Sequence, residues 1–237
     1  MNARKLIVNA DDFGQSKGIN QGIIQAYEKG ILTSASLMVR YPAASEAAAY
    51  AKSNPSLGVG LHVDLGEWAY NNHGWTPIYQ VVTLDDKEEL KKEVIRQFET
   101  FYELMDRKPT HIDSHQHVHL RESIRPVFIK IAQRLNVTLR RCSTVVKYCG
   151  DFYGQCDDGS PYHQAISVDS LQNIISNLQE GYTEVACHPG LDNDVETMYG
   201  VERAIEVETL CDGRIKESIS KENIELCSFE NILLSKK

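Results

Sequence analysis

Two adjacent carboxylates, Asp11 and Asp12, follow a predicted buried strand at Lys5–Ala10 and precede Gly14. In parallel α/β proteins, the loop after a strand opens into the crevice where the chemistry takes place. Neighbouring side chains on an extended backbone point in opposite directions. The two carboxylates therefore suit different tasks, one binding a metal ion and the other moving a proton. The alternative is an Asx turn followed by a helix N-cap.

A second group of polar residues alternates along the chain. It consists of His111, Asp113, His115, His117 and His119. On an extended backbone these side chains project to one side, so we expect several of them to face one cavity. Buried imidazoles are costly without partners, which favours a functional site. The alternative is a set of hydrogen-bonded or solvated histidines with no chemical role.

His62 and His188 stand near the ends of two further predicted strands. One carboxylate and two imidazoles are a common ligand set for a catalytic divalent metal, because they leave coordination positions open for water and substrate. We therefore predict that Asp12, His62 and His115 bind a metal ion. Asp11 is then predicted to be the base that accepts a proton from the activated water. His188 is predicted to act as an acid or an oxyanion donor.

Several other polar residues are candidates for supporting roles. Asp64 and Asp113 are predicted to orient an imidazole through its far nitrogen, although a turn or capping role is equally consistent for Asp113. Arg140–Arg141 is expected to bind substrate hydroxyls or a carboxylate, the alternative being a surface ion pair. Trp68 is expected to stack on a sugar face or to cover the mouth of the site. His117 is a further candidate for a contact with a ligand residue or the substrate.

The elements that must position these residues are strands and helices in alternation. The predicted strands are Lys5–Ala10, Leu32–Val39, Leu57–Leu65, Thr110–Ser114, Val137–Arg141, Thr183–Cys187 and Ile224–Ser228, and helices lie between most of them. Residues 66–77 and 142–166 are predicted loops. Such alternation predicts an α/β protein with a parallel sheet. We predict one domain over residues 1–237, an irregular (β/α) barrel with about seven parallel strands; a doubly wound open sheet is the alternative.

The composition excludes several classes of partner. The chain has 237 residues and a formal net charge of -8, which argues against binding to nucleic acid. No apolar run approaches the ~20 residues that a membrane span needs. The six cysteines fit no disulfide or CxxC pattern, so we expect reduced thiols in a cytoplasmic protein. A homodimer is the base-rate expectation for the assembly.

The residues of these motifs and their order along the chain resemble those of the YdjC-like carbohydrate deacetylases, of which chitooligosaccharide deacetylase is the best understood. The matching segments are Val8–Gly14, Ser16–Gly18, Gly60–His62, Pro109–His119 and His188–Gly190. The resemblance implies a deformed barrel of the glycoside hydrolase/deacetylase type. It also implies a divalent metal, often magnesium, on Asp12, His62 and His115, with Asp11 as the base. Residues 66–84 and 142–166, which are expected to face the substrate, do not obviously match the chitooligosaccharide enzyme.

The first hypothesis is a metal-dependent hydrolase that removes an acetyl group from a small N-acetylated oligosaccharide, such as diacetylchitobiose or its phosphate. A nitrogen-containing site binds zinc, nickel or cobalt more tightly than magnesium, so the metal stays open. A second hypothesis keeps the metal but assigns phosphoesterase-like or non-haem iron chemistry. A third is a sugar-binding or metal-binding protein without turnover on the same barrel.

Overall fold

The computed structural model describes residues 3–71, 74–192, 194–195 and 197–234. The strands are β1 (Arg4–Phe13), β2 (Ser34–Leu37), β3 (Gly58–Val63), β4 (Gly66–Asn71), β5 (Gly74–Gln80), β6 (His111–Ser114), β7 (Thr138–Leu139), β8 (Val146–Cys149), β9 (Gly181–Cys187) and β10 (Glu225–Leu226). The helices are α1 (Lys17–Lys29), α2 (Ala44–Ser53), α3 (Lys87–Met105), α4 (Arg125–Leu135), α5 (Val168–Ser176), α6 (Val201–Cys211), α7 (Gly213–Lys221) and α8 (Phe229–Leu234).

One curled parallel sheet forms the centre of the fold. Its strands run in the order β7-β6-β3-β2-β1-β9-β8, and β10 pairs with the beginning of β1. All pairings in this sheet are parallel. Within the described residues β7 and β8 are edges that do not pair with each other. The predicted α/β barrel with about seven parallel strands is thus confirmed as a curled sheet that forms a half-barrel.

Local signals in the sequence account for the helix boundaries. The Ser16 hydroxyl accepts a hydrogen bond from the Ile19 N–H at 3.1 Å and caps α1, as predicted for an N-cap serine. The Asp86 carboxylate accepts from the Glu88 and Glu89 N–H groups and caps α3. The apolar stripe of α3, which includes Leu90, is buried in the hydrophobic core.

The prediction of a loop at residues 66–77 was wrong. The structure places an antiparallel hairpin there, in which β4 pairs with β5 from Gly66 opposite Gln80 to Asn71 opposite Gly74. Aromatic and threonine residues favour strands, and two of the turn-forming residues that suggested a loop, Asn71 and Gly74, are paired at the last described position of the hairpin. Asn72 and His73 lie outside the described residues.

The chain after Arg141 also differs from prediction. Residues 142–166 contain β8, which extends the parallel sheet beside β9. The predicted strand Ile224–Ser228 shortens to β10, and two helices that were not predicted, α7 and α8, flank it. Each of these elements is short, and a short apolar segment carries too little periodicity for assignment. No helix among the described residues is long and apolar enough to cross a membrane.

Candidate active site

The carboxyl ends of β1, β3 and β9, together with the turn after β6, meet at a cavity of about 670 Å³. Because these strands lie close together in the sheet order, residues that are far apart in sequence converge here. Its lining includes Asp11, Asp12, His62, His115 and His188. The structure thus brings together the five residues that were predicted to act as ligands, base and acid.

A bulge at the end of β1 orients the two aspartates. Between Ala10 and Phe13 the strand has one residue more than its partner β2, where Ala35 and Leu37 are opposite them. Asp12 adopts a positive φ of 68° inside this bulge. Such an irregularity redirects side chains at a strand end, and here both carboxylates are buried at the cavity floor.

The Asp12 carboxylate lies between two imidazoles. Its Oδ1 is 3.0 Å from His115 Nδ1 and 3.4 Å from His62 Nε2. The three side chains offer ligand atoms within 4.8 Å of one another, and all three are buried. His115 Nε2 is a buried nitrogen without a hydrogen-bond partner among the described residues.

The hydrogen bonding of His62 and His115 tests whether these residues fit a metal. His62 Nδ1 lies 2.9 Å from Asp113 Oδ1, and a carboxylate accepts, so the Nδ1–H donates to Asp113 and Nε2 is left facing the Asp12 oxygen. That Nε2 contact, at 3.4 Å, is long for a hydrogen bond, and His115 Nε2 is buried with no partner among the described residues. The donor set therefore fits a divalent ion, with the far nitrogen of His62 fixed by a carboxylate as in many metal sites.

A second grouping, Asp11 with His62 and Asp113, also brings ligand atoms together. The Arg140 guanidinium already neutralises this grouping: its Nη1 donates to Asp11 Oδ1 at 2.7 Å and also to Asp113 Oδ2. A cation is thus present there as a side chain, and the Asp12 grouping is the better candidate for a metal.

Asp11 has two oxygens in different surroundings. Its Oδ1 accepts from Asn9 Nδ2 at 2.9 Å and from Arg140, whereas Oδ2 is directed towards His188 Nε2 at 3.8 Å. Burial is the largest single influence and opposes ionisation of Asp11, but the Arg140 guanidinium and the neighbouring imidazoles together outweigh it and hold the pKa below its usual range. Asp11 is therefore ionised at neutral pH, with Oδ2 available to receive a proton.

Arg140 has a role that the sequence did not predict. It is fully buried, and besides Asp11 and Asp113 it binds Glu184 on β9, with an Nε to Oε1 distance of 2.6 Å. Neither the expected contact with substrate nor the alternative of a surface ion pair agrees with this burial. Arg140 instead holds the carboxylates of three strands beneath the cavity. Its neighbour Arg141 lines the cavity.

His188 lies opposite Asp11 at the end of β9. Burial lowers the pKa of His188 to about 4, although the Asp11 carboxylate favours its charged form. The imidazole is therefore neutral at pH 7. Its Nδ1 is buried without a described partner, and its backbone N–H donates to a Glu206 oxygen.

The histidine run does not stay extended. After Ser114 the chain turns into a 3₁₀ segment, His115–Leu120, in which Gln116 and His117 have positive φ values of 49° and 52°. The extended course on which the expectation rested was therefore wrong, but two members of the run, His115 and His117, do line the same cavity. His117 Nε2 lies 3.2 Å from the Tyr148 hydroxyl.

The other two histidines of the run, His111 and His119, are buried in the interior and hydrogen-bonded there. His111 Nε2 lies 2.9 Å from the Ser36 hydroxyl, and its ring contacts Phe229. His119 Nε2 lies 3.2 Å from the Arg140 carbonyl oxygen, and its Nδ1 lies 2.9 Å from the Ser114 hydroxyl. These are the hydrogen-bonded histidines that the alternative interpretation described.

Among the predicted supporting residues, Asp64 has contacts different from those expected. Asp113 contacts the far nitrogen of His62, at 2.9 Å. Asp64 instead binds Arg40 at 2.6 Å and Tyr79 at 3.0 Å, on the side of the hairpin. Trp68 lines the cavity but is largely buried, and the Arg121 guanidinium lies 4.5 Å from the centre of its ring.

Sequence reasoning missed several residues of the site. Glu67, Tyr148 and Tyr153 come from the two predicted loops, and Arg203 and Glu206 come from α6. All except Glu206 line the cavity. A signal existed for α6, because Arg203 and Glu206 share the buried face with Val207 and Leu210. Charged residues on an apolar helix face are rarely buried without partners.

Comparisons with known proteins identify relatives of this chain. The YdjC-like protein family matches residues 5–221. A carbohydrate deacetylase of Geobacillus stearothermophilus is 33% identical, covering 95% of this chain and 97% of that protein. A chitooligosaccharide deacetylase of Escherichia fergusonii is 31% identical, covering 97% and 99%.

Solved structures agree on the fold. A crystal structure of a candidate cellobiose-phosphate cleavage protein from Enterococcus faecalis has a TM-score of 0.77 and 25% identity, covering 97% of this chain and 99% of that chain. A family 4 carbohydrate esterase from Streptomyces lividans has a TM-score of 0.53 at 14% identity, covering 96% and 93%. The latter similarity supports the architecture alone.

Proposed function

Since the chain belongs to the YdjC-like protein family, we propose that it is a metal-dependent hydrolase that removes an acetyl group from an N-acetylated sugar. The observation that carries the proposal is the convergence of Asp12, His62 and His115 beside a separately held carboxylate, Asp11. Relatives named carbohydrate deacetylase and chitooligosaccharide deacetylase support the reaction class.

Asp12, His62 and His115 would hold one divalent ion, Mg²⁺ or the more tightly bound Zn²⁺, Co²⁺ or Ni²⁺. When bound, such an ion supplies a Lewis acid for the acetamide carbonyl and lowers the pKa of a coordinated water to about 7. Asp113 keeps the His62 lone pair directed at the site through the bond to Nδ1. All three side chains line the cavity.

Asp11 accepts the proton of the attacking water through Oδ2, since Oδ1 is already bound by Asn9 and Arg140. His188 is neutral and faces the same Oδ2 at 3.8 Å. It takes the proton from Asp11 and delivers it to the departing amine when the C–N bond breaks. Water thus adds its hydroxyl to the acetyl carbon and its proton to the sugar nitrogen.

The cavity suits a small oligosaccharide such as diacetylchitobiose. Its volume of about 670 Å³ is in the ordinary range for small-molecule sites. Tyr148 and Tyr153 line it with Trp68, and aromatic rings suit the C–H faces of sugars. Two guanidiniums, Arg121 and Arg141, also line it, stacked on Trp68 and Tyr148, which supports a phosphorylated form of the sugar.

All six cysteines are free thiols, which supports our proposal that the protein acts in the reducing cytoplasm. The homodimer stays a prediction.

The proposal is tested by acetate release from N,N′-diacetylchitobiose and from its phosphate, with chelated protein and single metals added back. We expect acetate only when a divalent metal is present. If a tightly bound ion were found and no acetate appeared with any metal, the deacetylase assignment would be wrong and a binding protein on the same barrel would be favoured.

A further inference from the structure

Arg203 on α6 contacts three groups of the site at once. Its Nη2 donates to Asp12 Oδ2 at 2.7 Å, its Nη1 to the His188 carbonyl oxygen at 3.2 Å, and its Nε to the Tyr199 carbonyl oxygen at 2.9 Å. The side chain is buried, with 6% of its surface exposed. Each of its three nitrogens thus donates to a different acceptor. Because the guanidinium is planar and rigid, it fixes the positions of these three acceptors relative to one another.

The hydrogen bond from Arg203 gives the two oxygens of the Asp12 carboxylate different partners. Oδ2 is bound by Arg203, whereas Oδ1 faces His62 and His115. Asp12 therefore offers a single oxygen to a metal. This arrangement leaves more coordination positions open than a carboxylate that binds through both oxygens.

The same helix also fixes the segment that carries His188. The backbone N–H of Gly190 donates to the Arg203 carbonyl oxygen at 3.2 Å, and the N–H of His188 donates to Glu206. A Cβ at Gly190 would lie 3.1 Å from Arg203 Cδ, so the segment passes directly over this side chain. One guanidinium therefore links Asp12 on β1 to the segment that follows β9.

We propose that Arg203 is a positioning residue for the reaction: it limits Asp12 to one metal-facing oxygen and fixes His188 relative to it. This inference rests on the proposed metal-dependent function. It predicts that Arg203 affects both metal affinity and turnover, through two separate contacts. A residue that only stabilised the fold would change neither property in the folded protein.

The experiment measures the Kd for Zn²⁺ by titration calorimetry, and kcat and KM at saturating Zn²⁺, for Arg203→Met and Arg203→Lys. Arg203→Lys keeps a positive charge beside Asp12 and so preserves folding if Arg203→Met does not fold. One ammonium cannot reach all three acceptors in the geometry of the fork. We expect the Zn²⁺ Kd to rise by about 10–100-fold, as for other residues that orient metal ligands, and kcat to fall further even at saturating metal.

Arg214→Met is the matched control, because exposed Arg214 on α7 also binds a carboxylate, Asp212, at 2.8 Å. Its Zn²⁺ Kd and kcat should equal those of the native protein. Tighter Zn²⁺ binding by Arg203→Met would show that the guanidinium acts only as a repelling charge and would overturn the inference. Native values of Kd and kcat in Arg203→Lys would do the same. A native protein that binds no Zn²⁺ and no other divalent metal would instead overturn the proposed function itself.

Discussion

At the scale of single residues, the site separates two carboxylates that are neighbours in sequence. Asp12 meets two imidazoles and Arg203, whereas Asp11 meets Arg140, Asn9 and His188. The bulge at the end of β1 makes this separation possible, because the two side chains leave the regular ladder there. A metal-binding role and a proton-accepting role can then coexist within one dipeptide.

Replacing Asp11 with Asn tests this division of roles. The amide oxygen can still accept from Asn9 and Arg140, so the pocket keeps its shape, but an amide cannot take the proton. We expect Asp11→Asn to bind metal with nearly native affinity and to lose about 10²–10⁴-fold in kcat, measured by calorimetry and acetate release. Asp12→Asn is the comparison variant and should weaken metal binding. Loss of metal by Asp11→Asn would contradict the assignment.

Arg121 and Arg141 provide a test of substrate charge. Each guanidinium is stacked on an aromatic ring of the cavity, at 4.5 Å and 4.4 Å from the ring centres. We expect Arg121→Gln with Arg141→Gln to raise KM for phosphorylated diacetylchitobiose by about 10-fold or more, since each charged hydrogen bond contributes about 1.5–3 kcal/mol. KM for the unphosphorylated disaccharide should change little. Equal effects on both sugars would show that the two arginines do not recognise phosphate.

At the scale of elements, close approach between strands β3 and β6 supports the site. Gly60 on β3 lies against the His111 ring on β6, and a Cβ at Gly60 would overlap that ring. The ring cannot move away easily, because it contacts Phe229 and lies 2.9 Å from the Ser36 hydroxyl. Ser36 in turn donates to Asp113, the partner of His62. The packing of Gly60 against His111 is thus linked through Ser36 and Asp113 to His62, a predicted metal ligand.

We expect Gly60→Ala to lower the free energy of unfolding by about 1–3 kcal/mol, the usual cost of overpacking a core. Equilibrium unfolding in urea measures it. Gly213→Ala, where no atom lies within 4 Å of an added Cβ, is the control and should change stability by less than about 0.5 kcal/mol. Native stability in Gly60→Ala would mean that the His111 ring can shift.

At the scale of the whole molecule, burial disfavours the charged form of two interior histidines, His111 and His119. Burial lowers the pKa of His119 from 6.5 to about 4, although its bond to the Arg140 carbonyl oxygen favours the charged form. Burial also holds the pKa of His111 well below 6.5. Between pH 6.5 and 4 the unfolded chain therefore binds protons that the folded protein does not. The contribution of these histidines to the free energy of unfolding therefore falls as the pH decreases through this range.

His119→Gln isolates one contribution to this pH dependence. Between pH 7 and pH 5, we expect the loss of unfolding free energy of metal-free protein to be about 1–2 kcal/mol smaller in His119→Gln than in the native protein. Urea unfolding at several pH values measures the difference, and the histidines shared by both proteins cancel in it. Parallel pH profiles would contradict the neutral, buried state of His119.

The sequence by itself determined the parallel α/β class and the ligand candidates, because buried strands that end in acidic or imidazole residues are visible as local patterns. Asp11, Asp12, His62, His115 and His188 each stand at such an end. Parallel strands bring their carboxyl ends to one edge, so local patterns sufficed to predict that these residues converge. The caps at Ser16 and Asp86 are local in the same sense.

The tertiary structure alone decided the contacts between distant segments. Arg140 binds three carboxylates, and Arg203 binds Asp12 from a helix about 190 positions away. The turn at Gln116 and His117 ends the extended course of the histidine run. A local pattern can indicate that a charged residue is buried, but it does not identify the partners of that residue, because the favourable energy of a buried ion pair or a left-handed residue comes from groups that are distant in sequence.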